Sequence, residues 1–122
     1  MPPSPVPPVK ILYVCVGNAC RSQMAEAWTA HLGKERVQAF SAGMYPFGSI
    51  TSDTLEAMSE KGVSLDGQRS KGLRDVPVGE MDVVVEMGSE VYCPVPVDFR
   101  GRKVEWKVPD PFGLVPMVKQ VE

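Results

Sequence analysis

Short apolar segments rich in β-branched residues alternate along this chain with segments of helical periodicity, and this alternation limits the folds that it can form. The first apolar segment, Val9 to Val14, is separated by a loop of at most eight residues from a helical pattern between Ser22 and Leu32. An apolar run of this length, bounded by Pro and Gly, is typical of a buried strand. Ser22 is expected to cap the helix, and Gly33 to end it.

Three further strands and one further helix are predicted by the same patterns. The strands are Val37 to Ser41, Met81 to Met87 and Lys103 to Val108, and the helix runs from about Thr51 to Lys61. Leu55 and Met58 are expected to face the core from this second helix. Strands that alternate with helices predict right-handed crossovers. The fold class is therefore α/β, with a four-stranded parallel sheet and helices on both faces.

The length of the chain predicts one domain. It has 122 residues, close to the commonest domain size of about 100–150 residues. Residues 1–8 hold five of the twelve prolines, a composition that favours an extended arm outside the fold. We expect a single domain over residues 9–122. Its C-terminal helix is expected to be short or truncated, because only nine residues follow Gly113 and Pro116 interrupts them.

Charge and hydropathy exclude several classes of partner. The net charge is −2, from 13 basic and 15 acidic residues, so the chain lacks the clustered basic excess of a nucleic-acid surface. No apolar run approaches the roughly 20 residues that cross a bilayer, and the start lacks a secretion signal. We therefore expect a cytoplasmic protein that binds neither nucleic acid nor membrane. Its three cysteines are an odd number, which does not suit a disulfide framework.

The loop between the first strand and the first helix carries the candidate chemistry. Its residues are Cys15, Val16, Gly17, Asn18, Ala19, Cys20, Arg21 and Ser22. Backbone N–H groups and the helix N-terminus converge in such a loop, and this geometry binds an oxyanion. The same groups stabilise a thiolate, which makes Cys15 a candidate nucleophile. Arg21 can donate two hydrogen bonds to an oxyanion.

These residues carry a family resemblance. The stretch VCVGNACRSQMAE, residues 14–26, resembles the phosphate-binding loop of low-molecular-weight protein tyrosine phosphatases and of the thioredoxin-coupled arsenate reductases that share their fold. The resemblance continues in order through SAG at 41–43, QRSK at 68–71 and PDPFG at 109–113. It implies that fold, with the phosphate-binding loop directly after the first strand.

The resemblance also implies roles for individual residues. Cys15 is the nucleophile, Arg21 binds the oxyanion, Ser22 hydrogen-bonds the Cys15 thiolate and Asn18 holds the loop in shape. Residues 16–22 form the phosphate-binding loop as a whole. Asp110 is the general acid, which protonates the leaving oxygen from the opposite side and later activates water. Neither a metal nor a cofactor is needed for this chemistry.

Other residues are assigned by the same comparison. Tyr45, Phe47 and Phe112 are expected at the mouth of the site, where they suit a phenyl phosphate. Cys20 is a candidate for a reversible disulfide with Cys15, the alternative being a small buried loop residue. Cys93 is a second redox candidate, because reductases use two further cysteines after the third strand. Met87 stands near the place where the other relay cysteine is expected.

Two activities and one binding function remain open. The favoured hypothesis is a phosphatase that hydrolyses phosphotyrosine-type esters through a phospho-cysteine intermediate, because Cys15, Arg21 and Asp110 are all present. The alternative is an arsenate reductase coupled to a small thiol or to thioredoxin, because SQMAE and QRSK look more like the reductase branch. The third is a module that binds an oxyanion or senses redox state without turnover.

Overall fold

Residues 7–108 are described by a computed structural model, and within them four parallel strands form a sheet. The strands are β1 (Val9–Cys15), β2 (Val37–Gly43), β3 (Val83–Met87) and β4 (Arg102–Trp106), in the order β2-β1-β3-β4. The predicted α/β fold is confirmed. β1 is one residue longer than predicted and includes Cys15, so the candidate nucleophile lies at the carboxyl end of a central strand. This is the edge where ligands bind in open parallel sheets.

Two α-helices follow the first two strands. They are α1 (Arg21–Gly33) and α2 (Ser52–Glu60). α2 begins as expected, with the Thr51 hydroxyl accepting a hydrogen bond from the Thr54 N–H. The expectation that Ser22 caps α1 is wrong. The N-cap residue is Cys20, and the hydroxyl of Ser22 is within hydrogen-bonding distance of the Cys15 sulfur instead.

The two faces of the sheet bury separate apolar clusters because successive side chains of a strand point to opposite faces. Leu12 and Val14 belong to one cluster, and Tyr13 and Cys15 to the other. Ala25 of α1 packs against the Cys15 side. The opposite cluster is covered by residues of two 3₁₀ turns, Leu73–Asp75 and Val78–Glu80, and by neighbouring loops.

α2 contributes to a third cluster, between the helices. Thr54 and Met58 are buried, and Met58 packs with Ala27 and Val63. The prediction that Leu55 also faces the core is wrong, since its side chain is 46% exposed. Thr54 and Met58 are four residues apart and share one face of the helix, and Leu55 lies about 100° around the axis from Thr54.

Several expectations fall outside the described residues. These include most of the Pro-rich arm at 1–8, the C-terminal helix, and the site residues Asp110 and Phe112. In the part of the chain that is described, no helix has the length and apolar character needed to traverse a lipid bilayer.

The last residue of β2 touches the loop that follows β1. A methyl group on Gly43 would lie 2.7 Å from the Val16 carbonyl oxygen and 2.8 Å from the Asn18 nitrogen. Both atoms are backbone, so they cannot move aside as the end of a flexible side chain can. The Gly of the SAG stretch is therefore required by the close approach of two backbone segments.

We expect Gly43→Ala to destabilise the protein by about 1–3 kcal/mol, because the added methyl forces the loop away from β2. Urea denaturation measures this change. Gly17→Ala is the matched control, since its methyl would meet only the Phe47 side chain, at 3.5 Å. Equal stability of the two variants would contradict the expectation.

Cys93 is part of the core on the sheet face opposite Cys15. Its side chain is fully buried in the cluster of Leu12 and Val14. Burial raises the pKa of the Cys93 thiol from 9.0 to about 11, although the nearby Lys103 ammonium acts to lower it and the Glu86 carboxylate to raise it. The sulfur is therefore a neutral thiol at physiological pH.

The raised pKa of Cys93 predicts a loss of stability in alkali. The thiol ionises near pH 9 in the unfolded chain and near 11 in the folded one. The thiol therefore makes its full contribution to the free energy of unfolding below pH 9. This free energy falls by about 2–3 kcal/mol as the pH rises to 11. Urea denaturation of the wild type and of Cys93→Ala between pH 8 and 11 isolates this effect, and parallel stability curves would exclude it.

Candidate active site

The backbone of the loop after β1 is held from one side by the segment after β2. The carbonyls of Cys15, Val16, Gly17 and Ala19 accept hydrogen bonds from the N–H groups of Met44, Tyr45, Phe47 and Thr51, at 3.1, 2.9, 2.8 and 3.2 Å. In a trans peptide the C=O and the following N–H point in opposite directions. The N–H groups that follow these carbonyls are therefore directed away from the 44–51 segment.

The sulfur of Cys15 lies among polar groups of the loop and of the first turn of α1. The N–H of Asn18 points at Sγ from 3.2 Å, and the hydroxyl oxygen of Ser22 lies 2.8 Å from it. Cys15 is 3% exposed and Ser22 fully buried. The Asn18 N–H and the first turn of α1, the positive end of the helix dipole, lie at this point, and both favour a negative charge on the sulfur or on a bound anion.

Asn18 fixes the shape of the loop. Its backbone φ is +50°, in the left-handed region that Asn tolerates better than most residues. Its side chain is fully buried and spans the loop, since Nδ2 donates to Ser22 Oγ at 2.7 Å while Oδ1 accepts from the backbone N–H of Lys71 at 2.8 Å. The structure therefore brings Cys15, Asn18 and Ser22 together.

Arg21 is the first residue of α1 and its side chain is buried. Nη1 donates to the carbonyls of Met87 and Val108, at 2.7 and 2.8 Å, and to the Glu90 carboxylate at 3.0 Å. Within residues 7–108, all three of these hydrogen bonds are donated by Nη1. The guanidinium thus links the end of β3 to the segment after β4, at the same edge of the sheet as the loop.

Two of the three predicted aromatic residues lie beside the loop. Tyr45 and Phe47 bond to it through their backbones, and their side chains are 73% and 72% exposed. The ideal Cβ position of Gly17 is 3.5 Å from Phe47 Cβ, so this aromatic residue borders the loop. Phe112 lies outside the described part of the chain.

The structure separates the two redox candidates. Cys20 belongs to the loop and is half-buried, whereas Cys93 lies in the core on the other face of the sheet. The N–H of Cys93 donates to the Glu86 carboxylate at 2.6 Å, and its thiol points toward the Pro94 carbonyl at 3.7 Å. No disulfide joins any two of the three cysteines in this structure.

Sequence reasoning missed the roles of two residues around Asn18. The Gln23 side chain is fully buried and donates to Asn18 Oδ1 at 2.8 Å. Lys71, besides its backbone bond to Asn18, places its ammonium 3.2 Å from the Ser41 hydroxyl and 3.5 Å from the Glu26 carboxylate. Both residues lie in sequence stretches that carry the family resemblance, and this was the signal that could have found them. A resemblance does not reveal which atoms are in contact.

Residues 7–108 contain no group of three or more His, Cys, Asp or Glu side chains placed to share a metal ion. Asp110, the expected general acid, is not among the described residues. The carbonyl of Val108, two positions earlier in the sequence, is held by Arg21.

Known proteins resemble this chain in sequence. An arsenate reductase from Bacillus cereus is 32% identical over 105 residues, which cover 84% of this chain and 77% of that protein. Arsenate reductase 2 from Staphylococcus haemolyticus is 31% identical over 105 residues, with coverage of 84% and 79%.

Solved structures extend this similarity. A thioredoxin-dependent arsenate reductase from Corynebacterium glutamicum superposes with a TM-score of 0.75 at 30% identity, and the match covers 94% of this chain but only 57% of that one. The family model described as low molecular weight phosphotyrosine protein phosphatase matches residues 10–115. The chain, in which a strand, a loop and a helix are arranged around Cys15, therefore belongs to the low molecular weight phosphotyrosine protein phosphatase family.

Proposed function

We propose that this protein is an arsenate reductase in which Cys15 is the nucleophile. The observation that carries the proposal is the position of the Cys15 sulfur, which receives the Asn18 N–H at 3.2 Å and lies 2.8 Å from the Ser22 hydroxyl. Peptide N–H groups and the N-terminus of α1 stabilise both a thiolate and a tetrahedral oxyanion. Arsenate and phosphate share this shape and charge, so the loop suits either anion.

Arsenate is favoured by the relatives and by the surroundings of Asn18. Curated relatives that cover 84% of this chain at 31–32% identity are arsenate reductases. Gln23 and Lys71, which both bond to Asn18, belong to the stretches that look more like the reductase branch. This support outweighs the argument for a phosphatase from sequence, which depends on the presence of Cys15, Arg21 and Asp110.

The reaction takes place in two steps. The Cys15 thiolate attacks arsenic, so that an S–As bond forms and a hydroxyl group of arsenate leaves as water after protonation. A second thiol then attacks Cys15 Sγ, the S–S bond forms, and the electron pair of the S–As bond passes to arsenic. Arsenic is reduced from +5 to +3 and leaves as arsenite, while two thiols become a disulfide. An external dithiol such as thioredoxin restores the enzyme by thiol exchange.

Cys20 or an external thiol is the favoured source of the second sulfur. Cys20 belongs to the same loop and is half-buried. Cys93 is fully buried on the other face of the sheet, with burial raising its pKa to about 11. A neutral buried thiol is a poor nucleophile, so Cys93 must leave the core before it can take part.

Arg21 and Asp110 complete the proposed machinery. Nη1 of Arg21 is held by two carbonyls and by Glu90 at the same edge of the sheet as the loop, and the role proposed for the guanidinium is to neutralise the bound anion. Asp110 provides the proton for the departing oxygen. These two roles are predictions from the family resemblance.

Hydrolysis of phosphate monoesters is the second candidate. The family model matches residues 10–115, and a low molecular weight protein tyrosine phosphatase from T. tengcongensis superposes with a TM-score of 0.69 at 27% identity over 92% of this chain and 87% of that one. In this reaction water, activated by Asp110, cleaves a phospho-cysteine formed at Cys15. No second thiol takes part.

Paired assays separate the two activities. Arsenite formation is measured with thioredoxin, thioredoxin reductase and NADPH, and separately with a monothiol, while p-nitrophenyl phosphate hydrolysis is followed in parallel. We expect thiol-dependent arsenate reduction, and we expect Cys15→Ser to lower it by about three orders of magnitude or more, because serine leaves no sulfur at the position where the loop and α1 stabilise a thiolate.

Two further variants test which sulfur provides the second thiol. We expect Cys93→Ser to retain most of the reductase activity, and Cys20→Ser to lose the thioredoxin-dependent activity if its sulfur is the second thiol. Retention by Cys20→Ser would assign that step to an external thiol. Efficient ester hydrolysis, with arsenate acting only as a competitive inhibitor, would replace the reductase by the phosphatase.

A further inference from the structure

Gln23 is a polar side chain that is fully buried, one turn or less from the nucleophile loop. Its Nε2 donates to Asn18 Oδ1 at 2.8 Å, to the Asn18 carbonyl at 3.2 Å and to the Arg69 carbonyl at 2.8 Å. Its Oε1 accepts from Gln68 Nε2 at 2.6 Å. A buried amide needs such partners, and here they fix which end of the Gln23 amide faces Asn18.

The orientation of the Asn18 amide follows from its donors. The backbone N–H of Lys71 can only donate, and it lies 2.8 Å from Asn18 Oδ1, beside the Gln23 donor. That end of the amide is therefore the oxygen. Nδ2 then faces Ser22 Oγ at 2.7 Å and can only donate to it.

The direction of the last hydrogen bond is set in the same way. Ser22 Oγ accepts from Asn18, so its own proton is left for its other neighbour, the Cys15 sulfur at 2.8 Å. A hydroxyl that donates to sulfur stabilises the thiolate, whereas a hydroxyl that accepts from a thiol stabilises the protonated form. The polarity of the chain therefore decides how reactive Cys15 is.

We propose that Gln23 is a positioning residue for Cys15, which together with the Lys71 N–H keeps the Asn18 amide turned so that the Ser22 hydroxyl donates to the sulfur. Gln68 acts one step further away by holding Oε1 of Gln23. The inference rests on the proposed role of Cys15 as nucleophile. It assigns Gln23 no contact with substrate.

The test replaces the hydrogen-bond donor at Nε2 of Gln23 by an acceptor. Gln23→Glu has nearly the same shape, but it places a carboxylate oxygen opposite Asn18 Oδ1. The two oxygens repel, so we expect the Asn18 amide to turn over and to give up its bond from the Lys71 N–H as well. We expect the Ser22 hydroxyl then to donate to Asn18 instead of to sulfur. Alkylation of Cys15 by iodoacetamide, followed by mass spectrometry of its peptide, should slow about tenfold at pH 6 and match the wild type at pH 10.

Comparing the alkylation rates at pH 6 and pH 10 distinguishes a change in the hydrogen bond to Cys15 from a general change in the structure of the loop. A merely structural effect changes access to Cys15 and alters both rates alike, which would overturn the proposal, as would unchanged rates at both values. The effect of Gln23→Glu should also disappear in a Ser22→Ala background, because no hydroxyl remains to be turned. Persistence of the full effect in that background would contradict the inference.

Two variants keep the test decisive. Thr29→Val removes a bond from the Tyr13 hydroxyl, at 2.7 Å, elsewhere on α1, and its alkylation profile should match the wild type. Gln68→Met is the milder variant to use if Gln23→Glu does not fold, with a slowing of about threefold expected at pH 6. Alkylation needs no turnover, so a shifted profile in a protein that does not reduce arsenate would refute the proposed activity and leave this inference standing.

Discussion

The loop between β1 and α1 depends on backbone hydrogen bonds from outside it. Its carbonyls are occupied by the segment after β2, so the N–H groups that follow them are directed away from that segment, and the Asn18 N–H points at the Cys15 sulfur. A loop of this length cannot maintain that conformation alone, because Asn18 has a positive φ and the chain closes tightly. The electrostatic environment of Cys15 thus depends on residues 44–51, which follow β2, as much as on the loop itself.

The close contact of β2 with the loop explains why the family resemblance extends so far along the chain. Gly43 permits two backbones to approach, and the backbone of Lys71 reaches the Asn18 amide from a third segment. Each resemblance stretch that lies within the described residues contributes an atom that holds the loop or a residue bonded to it. The stretches are far apart in sequence but meet at one edge of the sheet, as the topology of a parallel sheet requires.

Much of the fold was predictable from periodicity and from turn residues, because strands and helices are local patterns. The pattern from Val9 to Ser22 predicts the position of the loop after β1, and the alternation after it predicts the order of the elements. The exposure of Leu55 could not be predicted in this way, because the face that α2 buries depends on its packing against α1 and Val63. Similarly, the bond between Arg21 and Glu90 joins residues 69 positions apart, and no local pattern encodes such a pair.

The burial of Cys93 has a kinetic consequence. Its sulfur lies in the cluster of Leu12 and Val14, on the other side of the sheet from Cys15. Any chemistry that uses this sulfur must wait for a local opening of the core, and such openings occur at frequencies set by local stability. The packing of one apolar cluster therefore imposes an upper limit on the rate at which electrons can leave or enter the protein through Cys93.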